Sequence, residues 1–371
     1  MFRTIVIREH GTFLGKRGER LLLRGPPLKK TEPDAMQAAR AVGAANESEP
    51  DFIPGTRRAP SRTRNEEEIP LFRVGEIVLP AHGVSISTDL IEDLAQRGIP
   101  LTFVGSSGQP YAMITSPMLT ATIATRRAQL RAMDRREGAQ LAGAFVAGKL
   151  RNQASLLVYF AKAESEPTRR ARVLAAVLDV RKARKGALGV AGSQPDAVRE
   201  SLLGYEGLGA RAYWSAVKAL LEGRAVFEGR TGRAAIDPVN ALLNYGYGIL
   251  ASRVWAALLH AGLDPFAGML HADRSGKPSL VLDLMEEMRP PAVDRAVLAH
   301  VRLGKPIAME GGRLGESARR AIADAVLERL DAPVVSAGKK LLLGSILQRQ
   351  ARSIATHVRG EATYKPFAMT W

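Results

Sequence analysis

At Pro117 the 371-residue chain changes texture, and that change limits what it can fold into more than any other feature. Before it, short β-prone runs alternate with turn residues. After it, Ala, Leu and Arg dominate at helical spacing, with few β-branched runs. In the first part, Thr4 to Ile7, Arg20 to Leu23, Ile77 to Leu79, Ile99 to Val104 and Tyr111 to Ile114 read as strands, with turns at Glu9-His10-Gly11 and Ser106-Ser107-Gly108. Ser87-Thr88-Asp89 can cap a short helix whose apolar positions are Leu90, Ile91 and Leu94 and which Gly98 ends. Residues 26–69 break the pattern with six prolines, charges of both signs and few large apolar residues, the composition of a flexible insertion between strands. Its basic patch, Arg57, Arg58, Arg62 and Arg64, reads first as a solvated loop and second as a nucleic-acid contact. The expected fold class is α+β: a small β-rich N-terminal domain over 1–114, then a larger all-α domain over 115–371.

Charge narrows the partners. The formal net charge is +16, which points to a polyanion, most simply nucleic acid; a basic soluble surface is the plainer alternative. Residues 115–200 hold 16 Lys/Arg against 7 Asp/Glu, more than half of the excess. Arg126, Arg127, Arg131, Arg135 and Arg136 recur there at helical spacing, a face suited to following a duplex backbone without reading sequence. A second cluster spans Arg169 to Lys185, and either could be an ordinary exposed helix face. With no cysteine, disulfides, thiolate metal sites and cysteine nucleophiles are excluded. No apolar h-region opens the sequence and no run of about 18 apolar residues occurs, so a cytoplasmic protein without a membrane span is expected.

Asp237-Pro238 opens the clearest helix, with Val239, Leu242, Leu243, Ile249, Leu250, Val254, Leu258 and Leu259 along its apolar side and Gly262 as its stop. It is expected to be the central rod of the second domain. Next comes GMLHADRSGKPSLVLDLMEEMRPP, 268–291, which sets His271 in a polar loop and Asp283 and Glu286 three residues apart, on one face of a helix that Pro290-Pro291 would halt or kink. Helical patterns follow at 292–303 and 315–331, then a basic segment from Lys339 to Arg359. One imidazole with two carboxylates is a mixed nitrogen and hard-oxygen set suited to Mg²⁺ or Mn²⁺. Glu206, flanked by glycines in SLLGYEGLGARAYW, is the candidate for the other half of such a site, since glycine lets a backbone or a phosphate come close. Each signal has a plainer counterpart: most lone histidines are not ligands, acid pairs at i, i+3 are common on solvated helices, and helix glycines often serve packing.

Several separated blocks, in order, add more. LLGYEGLGARAYW (202–214), DPVNALLNYGYGIL (237–250) and GLDPFAGMLHADRSGKPSLVLDLMEEMRP (262–290), with KLRNQ (149–153), VSISTDLIEDLAQRGIPLTFVG upstream and the terminal YKPFAMTW, resemble the CRISPR-associated adaptation integrases, the Cas-one family. The likeness covers nearly the whole chain, apart from the 26–69 insertion. By position it implies Glu206, His271 and Glu286 as metal ligands, Asp283 as an adjacent acid that supports the site or shares the metal, and Asn240 and Arg289 as residues that brace the acidic motif or contact DNA. Some relatives carry Asp at the position of Glu286; Glu is still a hard-oxygen ligand. The resemblance further implies a homodimer, double-stranded DNA as substrate, a small dimeric partner protein (Cas-two), and Mg²⁺- or Mn²⁺-dependent joining of 3′-hydroxyl ends of short fragments into a repeat array. The alternatives are a metal-dependent nuclease outside CRISPR, which would cut but not join, and a non-enzymatic DNA-binding scaffold.

Overall fold

The computed structural model describes residues 3–25, 66–80, 82–105, 108, 110–116, 122–232, 237–336 and 338–371. The described chain divides into two units, Met1–Ile99 and Pro100–Trp371. The patch Arg57, Arg58, Arg62 and Arg64, like the rest of 26–65, lies outside the described residues.

In the first unit, β1 (Arg3–Val6), β2 (Phe13–Arg17), β3 (Arg20–Arg24), β4 (Glu66–Pro70), β5 (Val74–Leu79) and β6 (Ser85–Ile86) are followed by helix α1 (Thr88–Gln96). β1 runs parallel to β5, with Ile5 opposite Ile77 and Val6 opposite Val78. A second sheet has the order β4-β3-β2-β6. Its β2–β3 hairpin turns on two residues, and Gly18 takes the positive φ of +55° that such a tight turn favours. Leu14, Leu21 and Ile77 on the strands and Leu90 on α1 are fully buried. β4 takes 66–69 out of the expected insertion. Its sequence EEEIP has little strand propensity; its acids instead meet basic side chains across the ladder, Arg17 on Glu68 at 2.6 Å and Arg24 on Glu66 at 2.8 Å.

The second unit begins with the hairpin β7 (Leu101–Val104) and β8 (Pro110–Ile114). Helices α2 (Thr122–Ala132), α3 (Arg136–Lys162), α4 (Pro167–Leu188), α5 (Pro195–Leu221), α6 (Pro238–His260), α7 (Ser279–Met288) and α8 (Arg295–Arg302) follow. Then come the short hairpin β9 (Met309–Glu310) and β10 (Arg313–Leu314), helix α9 (Glu316–Asp331), the hairpin β11 (Pro333–Ser336) and β12 (Lys339–Leu342), and helix α10 (Leu343–Val358). The β7–β8 turn packs on α6: a Cβ at Gly108 would stand 2.6 Å from the Tyr245 carbonyl oxygen, and one at Gly248 2.3 Å from that of Gly108. The basic segment from 339 supplies a strand before its helix, so this unit is mostly, not wholly, helical.

Local signals set the helix ends. The Glu166 carboxylate accepts from the backbone N–H groups of Thr168 and Arg169 at 2.8 and 2.5 Å, and Pro167 opens the first turn of α4. Asp237 caps α6 through the Asn240 N–H at 2.8 Å, and Gly262, at φ +74°, lies just past its end. α3, α4 and α5 pack on one another, with Gly186 against the Tyr205 ring and Gly209 against Leu150. α6 is buried along most of its length, among α7, α9 and α10. Pro290-Pro291 do not halt the chain. A widened π-helical turn, Arg289–Asp294, carries it from α7 into α8, which accommodates two residues without an N–H to donate.

Candidate metal and phosphodiester site

Glu206 sits mid-helix on α5 and Glu286 near the end of α7. Both reach a single ammonium, that of Lys149 on α3: Lys149 donates to Glu206 Oε1 and lies 2.5 Å from Glu286 Oε2. The side chains are little exposed, 16% for Glu206, 11% for Lys149 and 2% for Glu286. Glu286 Oε1 takes Arg289 Nη1 at 2.7 Å, one helical turn on. Burial alone would push the Glu286 carboxyl up. The Arg289 guanidinium and then the Lys149 ammonium outweigh it and hold the group at about 2, fully ionised. Burial works against the charge of Lys149 too, but Glu286 and Glu206 keep its pKa above the ordinary lysine value.

His271 lies in the loop before α7, and Asp283 arranges it. The fully buried Asp283 carboxylate accepts from the backbone N–H groups of Met269, Leu270 and His271 at 2.6, 3.0 and 3.0 Å, and meets His271 Nδ1 at 2.7 Å. Gly268 makes the approach possible; a Cβ there would stand 2.6 Å from Ser279 Cβ. With Nδ1 taken by a carboxylate, any ligand bond from this ring goes through Nε2, the arrangement in which a carboxylate orients a ligating imidazole. The ring is within electrostatic reach of Glu286. Asp283 therefore spends its oxygens on the loop.

These donors suit a hard divalent cation in kind. Glu286 Oε2 is a buried acceptor that no donor meets in hydrogen-bond geometry, even with the Lys149 ammonium beside it. Among the described residues, however, no three His, Asp or Glu side chains already close on one point. The Lys149 ammonium stands in contact with both acids.

Behind Arg289 lies a second buried layer. The Tyr247 ring carries the guanidiniums of Arg289 and Arg230 at 4.9 and 5.3 Å. Its hydroxyl donates to Asp294 at 2.5 Å, and Tyr213 donates to the other oxygen at 2.7 Å. Burial pushes all three of these acids above their ordinary values. Asn240 is fully buried; it accepts from Arg230 and Thr231 and donates to Gly229 and Asp237, so it braces the loop that carries Arg230. On α2, Arg127 and Arg131 are exposed one turn apart and Arg126 is half-buried. Around Glu206, a Cβ at Gly204 or Gly207 would meet nothing within 4 Å, so these two glycines are not there for packing. Sequence patterns placed Lys149, Tyr213 and Tyr247 only within motif blocks and missed Arg230 and Asp294 as neighbours of the site. Nothing local marks residues that meet from different helices.

The model of the family described as CRISPR associated protein Cas1 matches residues 58–328. The CRISPR-associated endonuclease Cas1 1 of Archaeoglobus fulgidus is 36% identical over 301 residues, 77% of this chain and 87% of that protein. The CRISPR-associated endonuclease Cas1 1 of Francisella tularensis subsp. novicida is 32% identical over 308 residues, 83% and 92% of the two chains. Among solved structures, a casposase bound to integration product superposes with a TM-score of 0.75 at 20% identity, over 99% of this chain and 93% of that one. A CAS1 protein from Thermotoga maritima gives 0.69 at 18% identity, over 99% and 100%. At these identities the structural matches show the fold alone.

Proposed function

The chain belongs to the CRISPR-associated Cas1 family, and on that premise we propose that it is a metal-dependent DNA integrase and endonuclease of CRISPR adaptation. It joins the 3′-hydroxyl ends of short DNA fragments into a repeat array by phosphodiester transesterification, in the cytoplasm, as a homodimer with the small Cas2 partner. The relatives' names support this reading: endonuclease in the curated proteins, integration product for the casposase, and a Cas6-RT-Cas1–Cas2 complex of TM-score 0.69.

The observation that carries it is the meeting of Glu206 and Glu286, from two helices, on one buried positive charge. Two carboxylates brought together out of water demand a cation. Glu206, Glu286 and His271 Nε2 would hold Mg²⁺ or Mn²⁺, which when bound supplies Lewis-acid stabilisation of charge on the attacking and leaving oxygens. The chain's own groups do the rest. Asp283 holds the imidazole in one orientation, Arg289 offers a fixed positive charge beside the reacting phosphate, and the open ground at Gly204 and Gly207 leaves room for a DNA backbone beside Glu206. Transesterification of this kind needs positioning and charge more than a protein nucleophile, in keeping with a chain that has no cysteine.

A labelled fragment and a supercoiled array plasmid test this reading. Wild type should join them with Mn²⁺ or Mg²⁺ and not with EDTA. Glu206→Ala, His271→Ala and Glu286→Ala should each abolish joining and cleavage while duplex binding is kept. Truncating a buried charge partner costs about 3–5 kcal/mol, so Glu206→Gln and Glu286→Gln serve as shape-preserving controls. Joining that persists in EDTA would overturn the reading.

A further inference from the structure

Two acids, Glu206 and Glu286, share this site with two cations, Lys149 and Arg289, and the cations are held very differently. Arg289 is fixed on one side by Glu286 Oε1 at 2.7 Å and on the other by the face of Tyr247 at 4.9 Å, a ring itself anchored on Asp294. Lys149 hangs on a flexible four-carbon stem, and among the described residues its ammonium pairs with the two carboxylates. Its contact with Glu286 Oε2 lacks hydrogen-bond geometry. The backbone beneath it cannot shift easily: a Cβ at Gly148 would stand 2.7 Å from Pro366 Cβ, and Asn152, one turn on, donates to the Glu287 and Phe367 carbonyls at 2.7 and 3.0 Å. What can move is the ammonium.

We infer that Lys149 is a placeholder cation. It neutralises Glu206 and Glu286 while the site holds no metal, and it must swing out before these carboxylates can take a divalent cation. The inference rests on the proposed reading that this site binds such a cation. The electrostatics require the exchange. With Lys149 in place two negative charges face two positive ones, and an arriving divalent ion would lie against an ammonium of like sign. The lysine therefore lowers apparent metal affinity by the fraction of molecules in which the carboxylates are free, and in the metal-free protein it gives Glu206 and the second oxygen of Glu286 a positive partner.

Calorimetric titration of Mn²⁺ into the full chain, without DNA, tests this in wild type, Lys149→Met and Glu286→Gln. Wild type should bind, Glu286→Gln should lose binding, and Lys149→Met should bind about tenfold more tightly or better. If wild type does not bind, or Glu286→Gln binds as well as wild type, the metal reading fails and this inference with it. If those two behave as expected but Lys149→Met binds no tighter than wild type, the placeholder role alone is overturned. A second measurement needs no variant, should Lys149→Met fail to fold. Reductive methylation of wild type, read by mass spectrometry, should modify Lys149 poorly without Mn²⁺ and markedly more with it; equal modification in both would also overturn the role.

Discussion

Glu286 and Glu287 are adjacent and both buried, yet their carboxyls are driven apart. Burial raises both. At Glu286 two cations reverse the effect and hold it at about 2. At Glu287 the partners are neutral, the Tyr364 hydroxyl at 2.8 Å, the Gln350 amide at 3.1 Å and the Phe367 N–H at 3.1 Å, and burial takes the carboxyl from 4.5 up to about 7. The consequences have opposite signs. Glu286, lowered, contributes stability that is present above 4.5 and lost as pH falls toward 2. Glu287, raised, contributes stability that is full below 4.5 and lost as pH rises through 7, roughly 3 kcal/mol in all. Glu287→Gln should therefore flatten the fall in melting temperature between mildly acidic and mildly alkaline pH, as scanning calorimetry would read; an unchanged slope would mean that Glu287 does not titrate there. Asp283 has a different task. Asp283→Ala frees three backbone N–H groups and the His271 ring at once, so strand joining should fall about 10–100-fold while duplex binding holds.

Helices meet here through missing side chains. Gly148 lets α3 approach Pro366 and Glu287, and Gly268 lets the histidine loop lie on Ser279 and Asp283. Gly148→Ala should cost about 1–3 kcal/mol in denaturant unfolding, because the atoms it meets belong to a packed interior. Gly204 and Gly207 are the reverse case. A methyl there meets nothing, and in a helix interior it should stabilise by about 0.5–1 kcal/mol each. If DNA passes beside Glu206, the same two substitutions will raise the melting temperature yet weaken strand joining. A gain in stability with joining untouched would place the DNA elsewhere. The π-helical turn is also a positioning device. It brings Asp294 under Tyr213 and Tyr247, and so steadies the ring on which Arg289 rests.

Over the whole molecule the net charge of +16 is not spread as free cations. In the cluster from 169 to 185, Arg169 pairs with Glu164 at 3.2 Å and Arg172 with Glu222 at 2.5 Å, so part of it ties helices together, while Arg170, Arg181, Lys182 and Lys185 are exposed. On α2, Arg127 and Arg131 share an exposed face. Reversing both to Glu should weaken duplex binding and reduce the slope of log affinity against log salt by about 0.9 for each phosphate that an arginine no longer neutralises. An unaltered slope would remove α2 from the DNA surface.

Periodicity and capping carried most of the architecture. The Asp237-Pro238 start of α6 and the glycine stops are written in neighbouring residues, and backbone hydrogen bonding answers to neighbours. β4 escaped notice because its strand is made by arginines on other strands, and the π-helical turn because two prolines normally end a helix. The chemistry divides in the same way. The motif blocks offer Glu206, His271, Asp283 and Glu286 as candidates. That Asp283 spends its oxygens on a loop, and that Lys149 stands between the acids, could not, since ion pairing depends on distance in space and these partners come from separate helices.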